Sequence, residues 1–174
     1  MKKVTLIFFF LFSSVTNAQI INSDQDFERD FLIKFDGICV QNIDSLDRIK
    51  SYASNQKWII LPDEQSALIK PKIIGLGYAA WGFVEKSKAF MIGINDADKA
   101  NTCTMATKYE NLNKFKKYLN EFYKLQLMES KKQGIQTYEI YKLNFSNNKK
   151  TWIFVTYSNE LNYEFISISI LQDI

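Results

Sequence analysis

The chain has 174 residues, 22 Lys+Arg against 19 Asp+Glu, and no histidine. Without histidine, Ser-His-Asp and Cys-His catalysis and the usual zinc hydrolase sites are excluded. A net charge of +3 is too small for the clustered basic face of a nucleic-acid binder.

Lys2 and Lys3 precede an apolar run over residues 4–12, and Thr16-Asn17-Ala18 offers a small-x-small cleavage site. Residues 1–18 therefore read as a signal peptide, with a mature chain from Gln19. The run is about half the roughly 20 residues of a membrane span, and no later stretch reaches that length. The expectation is an exported chain, periplasmic or secreted, with no stable membrane insertion after cleavage. Loss of Lys2 and Lys3 leaves 20 basic against 19 acidic residues, a balance of +1. Residues 19–174 suffice for a single α+β domain.

The first element is helical. Ser23 can cap it, and Asp24, Asp26 and Glu28 suit its positive N-terminus. Phe27, Phe31, Phe35 and Cys39 recur at four-residue spacing and form a buried stripe. A second helix, started by Asp44, puts Leu46, Ile49 and Ala53 on one face and ends near Asn55. Trp58–Leu61 then runs extended to Pro62, and residues 62–77 read as a long connection.

Strands follow. Residues 78–85 and 89–95 flank Lys86-Ser87-Lys88, a hairpin signal. Residues 102–109 form a third strand with Cys103 near its start. Asn111 caps an amphipathic helix bearing Leu112, Phe115, Leu119 and Phe122 on one face. Residues 125–129, the weakest strand, lead to strands over 136–145, 151–157 and 163–171. In 151–157, Trp152 and Phe154 face one way and Ile153, Val155 and Tyr157 the other, so both faces are covered or one contributes to a binding face. The fold class is α+β: an antiparallel sheet of six to seven strands, two N-terminal helices, and one amphipathic helix between two β-meanders. No repeat appears beyond a loose helix-then-strands similarity.

Cys39 and Cys103 are the chain's two cysteines. An even pair in an exported chain predicts a disulfide, which would pin the first helix onto the sheet. No metal or cofactor site is expected, because two Cys alone do not complete a zinc site. Ser54/Lys57 and Ser146/Lys149 match Ser-x-x-Lys, a spacing that chance supplies at this lysine content. Neither has the partner motifs of a lysine-activated acyl-transfer serine. Residues 95–101 resemble part of a calcium loop but lack its Gly and distal Glu. Carboxylate chemistry remains open, since 19 acids permit a glycosidase-like pair.

Cys39 ends one helix, an Asp-started helix leads to Trp58, and Cys103 precedes an amphipathic helix and a closing hairpin. This layout resembles small exported one-disulfide bacterial proteins of unassigned function. In size and architecture it also resembles periplasmic immunity proteins, which neutralise secreted antibacterial toxins. The resemblance implies a non-enzymatic inhibitor or immunity protein with a protein partner, and it carries over no catalytic residues. Candidate contacts are Asp24 and Asp26 on the first helix and Asp96 and Asp98 in the later turn. The alternatives are a cell-envelope hydrolase using paired carboxylates and an accessory subunit of an envelope complex.

Overall fold

The computed structural model describes residues 26–66, 69–70, 77–97, 100–143, 149–158 and 164–173. The segment read as a signal peptide, Ser23, Asp24, Asp98 and Ser146 lie outside them.

The described elements are α1 (Phe27–Ile38), a 3-10 turn (Val40–Asn42), α2 (Leu46–Asn55), β1 (Ile59–Ile60), β2 (Ala79–Glu85), β3 (Lys88–Ala97), β4 (Ala100–Thr107), α3 (Leu112–Tyr123), β5 (Gln126–Gln133), β6 (Gln136–Leu143), β7 (Thr151–Ser158) and β8 (Phe165–Asp173). The class is α+β with one antiparallel sheet, in the order β1-β2-β3-β4-β8-β7-β6-β5. That order reads outward from β4 and β8 in both directions. Each half is a helix followed by a four-stranded meander, α2 to β4 and α3 to β8.

The sheet has eight strands, not six or seven. The extended piece after Trp58 is itself a strand, because Ile59 and Ile60 pair with Gly82 and Trp81. Two further corrections concern helix starts. The first helix begins at Phe27 with Asp26 as its N-cap residue, and Ser45, not Asp44, takes the N-cap position of α2. Asp36-Gly37 does not break α1, which runs through to Ile38.

The four-residue stripe of α1 is the seam of the core. Phe31, Phe35 and Cys39 are buried, and Phe31 packs against Phe90 of β3 and Phe115 of α3. Leu46, Ile49 and Ala53 of α2 and Phe115 and Leu119 of α3 join them. The strands answer with Ile92, Ile94, Met105, Ile153, Ile166, Ile168 and Ile170. Full burial of such a side chain contributes about 1.5–3 kcal/mol. All these strand residues share one face, the helical face, by register.

Cys39 and Cys103 are joined, with Cα atoms 5.4 Å apart. The bond ties the end of α1 to β4 beside Ile94. A second tie runs from Glu28 of α1, whose Oε1 accepts from the N–H groups of Glu110 and Asn111 at 3.1 and 2.5 Å. Its negative charge thus sits at the positive N-terminus of α3. The Asn111 side chain caps the same helix, accepting from Lys114 N at 3.0 Å.

The opposite face of the sheet is divided. Over β2, β3 and β4 it carries Ala80, Gly82, Gly93 and Ala106, a trough of small residues around Met91. Leu61 and Ile69, from the connection between β1 and β2, lie in that trough. A Cβ at Gly93 would come within 3.2 Å of Ile69 Cδ1. Over β7 and β6 the side chains are larger, and among the described residues neither core takes in Trp152, Phe154 or Ile140.

Candidate binding face

Register builds this face row by row. Ile140 of β6, Phe154 of β7 and Ser169 of β8 face one another, and Ser169 pairs with Thr104 of β4. The next row is Lys142, Trp152, Leu171 and Thr102. On the other side lie Tyr138, Thr156 and Ser167. Trp152, Phe154, Ile140 and Leu171 are half-buried. None belongs to either of the two packed cores among the described residues. The Thr104 and Ser169 hydroxyls lie 2.7 Å apart at the edge of this patch. The result is an aromatic and aliphatic centre bordered by hydroxyls and one lysine. Chemically it can bury apolar surface and exchange a few hydrogen bonds.

A buried polar cluster lies beneath it, on the helical face. Lys116 of α3 sets Nζ 2.7 Å from Oε1 of Glu139 on β6, and 2.9 Å from the Tyr157 hydroxyl. Tyr157 donates to the same Oε1 at 3.1 Å, and Tyr141 donates to Oε2 at 2.7 Å. Glu139 is only 6% exposed. Burial alone would push its pKa up, but the bonds from Lys116 and Tyr141 outweigh it and hold the carboxyl below its ordinary value. Burial opposes the charge on Lys116, yet Glu139 and Tyr157 raise its pKa. The Tyr141 hydroxyl is pushed up by burial and by Glu139. Glu139, Lys116 and Tyr141 are each shifted toward their neutral-pH form, so the cluster is a fixed ion pair with two hydroxyl props.

Asp26 and Asp96 lie toward opposite ends of β3. Asp26 accepts from the Tyr118 hydroxyl and lies 3.7 Å from Lys114 Nζ. Tyr118 leads the effects that lower its pKa, with burial opposing and Lys114 assisting. Its neighbour Phe27 packs on Phe90, near the β2–β3 turn. Asp96 sits at the other end of β3 and accepts from Gly77 N. Six strand residues separate these ends, roughly 20 Å. A general acid needs a raised pKa. The carboxyls of Asp26 and Glu139 are shifted the other way.

A cavity of about 320 Å³ lies between α1 and α2, lined by Lys34, Ile38, Arg48, Ile49 and Tyr52 among others. That is at the small end of ligand pockets. No group of three or more His, Cys, Asp or Glu suited to a metal occurs among the described residues. No described helix is long and apolar enough to cross a membrane.

The alternation of Trp152 and Phe154 was legible in the sequence. The Lys116–Glu139–Tyr157–Tyr141 cluster was not, because its members come from α3, β6 and β7. Its one local signal is a carboxylate in register with Tyr141 on a strand's buried face.

The fold and this face define a class: an α+β protein with a single antiparallel sheet, helices on one side and a partly open aromatic surface on the other. No family model, characterised protein or solved structure matches the chain.

Proposed function

We propose that this chain is an exported, non-enzymatic binding protein of the periplasm, acting as an inhibitor or immunity protein against a secreted antibacterial toxin. The observation that carries the reading is the aromatic half-face of Trp152, Phe154, Ile140 and Leu171, left outside both cores. Tight protein interfaces are anchored by a few large side chains of this kind inside a polar rim. Here Ser169, Thr156 and Lys142 supply the rim. The Cys39–Cys103 bond is compatible with an oxidising compartment. The low pKa values of Glu139 and Asp26 weigh against the carboxylate hydrolase reading.

The test is toxicity rescue. Deleting the gene should sensitise cells to the product of a neighbouring gene or to attack by kin. The wild-type chain should restore resistance, and a folded W152S/F154S variant should not. If deletion never sensitises cells, the immunity reading fails. Stable co-purification with envelope components would instead favour an accessory subunit.

A further inference from the structure

The sheet has one long free edge. Among the described residues β5 has β6 as its only strand neighbour, and all eight of its residues are exposed. The other edge, β1, is two residues long. A long edge presents unpaired N–H and C=O groups to any strand that can align with them.

The side chains of β5 select one alignment. Two copies that pair antiparallel about a two-fold axis must place one residue on the axis, because facing residues share the same hydrogen-bonding orientation. An axis through Glu129 sets carboxylate against carboxylate. An axis through Lys131 or Lys132 sets ammonium against ammonium. An axis through Ser130 sets Glu129 against the other copy's Lys131, twice. That register pairs opposite charges and opposes no like ones. The bulge in β5, between Leu127 and Glu129, falls outside the central Glu129–Lys131 stretch. The exposed Leu127 and Met128 add apolar area beside the axis.

We propose that β5 pairs with β5 of a second copy of this chain, antiparallel about Ser130, joining two eight-stranded sheets into one. The choice of this register does not rest on the identity of the partner that the aromatic face receives.

Sedimentation velocity across a concentration series tests it, using chain purified with the Cys39–Cys103 bond formed. Wild type should show a monomer–dimer equilibrium. K131E and E129K each set like charges in opposition and should weaken the dimer about tenfold. The swap E129K/K131E re-pairs the same charges and should restore it, which loss of folding would not. S130C, placed on the axis, should give a covalent dimer on oxidation. L127C should not, since its two copies would lie roughly 20 Å apart along the strands. Three results would overturn the proposal: a monomer at every concentration reached, a dimer indifferent to K131E and the swap, or cross-linking through L127C as readily as S130C. An edge that stays monomeric yet pairs with a strand of another protein would overturn it too.

Discussion

Lys116 and Glu139 meet at 2.7 Å across the gap between α3 and β6, although 23 residues separate them in the chain. The pair anchors the helix of the second half to its own meander. Removing one partner leaves the other charge in a low-dielectric site. Lys116→Met should therefore cost about 2 kcal/mol, less than a fully buried pair because a third of the lysine side chain meets water. Lys116→Met with Glu139→Leu should recover much of that loss. Urea unfolding of the three proteins measures it.

The same pair fixes a pH window. Glu139 has a lowered folded pKa, so its contribution is present above the unfolded carboxyl value, about 4.3, and is lost as pH falls through the folded value. Lys116 has a raised folded pKa, so its contribution is complete below the unfolded value, about 10.4, and is lost as pH rises through the folded one. The stability gap between wild type and Lys116→Met should be widest from about pH 5 to 10 and narrow at both ends. A gap independent of pH would show that the pair acts by packing alone.

The disulfide spans 64 residues of sequence. Closing a loop of that length removes unfolded-state entropy worth about 4 kcal/mol. Cys39→Ala with Cys103→Ala should lower unfolding stability by about that amount. Reduction under native conditions should be slow, because both cysteines are fully buried.

The β2–β3 turn carries two side chains in the left-handed region, Lys86 at φ 49° and Ser87 at φ 63°. Two-residue hairpins of this kind favour Asn-Gly. Ser87→Gly should stabilise the protein by about 0.5–1 kcal/mol. Gly134→Ala, at φ +60° in the β5–β6 turn, should destabilise it by about 1 kcal/mol. Thermal melts of the two variants should move in opposite directions.

β7 separates the core from the proposed surface residue by residue. Ile153 is fully buried, and Ile153→Ala should cost about 3 kcal/mol. Phe154→Ser beside it should cost about 1 kcal/mol or less and should abolish rescue. A large stability loss from Phe154→Ser would mean that the face is filled within the folded chain.

What the sequence disclosed follows from what kind of signal each element carries. Phe31, Phe35 and Cys39 face one core, so their period is readable in α1. Asn111 caps α3 through its own side chain, which is a local effect. β5 gave a weak strand signal because it has no buried residue and hence no alternation. β1 was read as extended but not counted as a strand, since pairing with Gly82 and Trp81 requires knowing where a distant segment returns. The same holds for Glu139, whose role depends on a helix more than twenty residues upstream. Two cysteines admit only one intramolecular partner each, so that pairing needed no geometry.

The placement of β8 between β4 and β7 sets an order in time. A growing chain can assemble β1 to β4 as a meander while the rest is still being made. It cannot join the two halves until residues 165–173 have been synthesised. The strand that completes the sheet is the last of the eight in chain order. Before then, Met105 and Val155 lack their shared neighbour Ile168. Joining of the two halves therefore waits on β8, and loss of residues 165–173 should cut the molecule through its middle and not merely trim an edge.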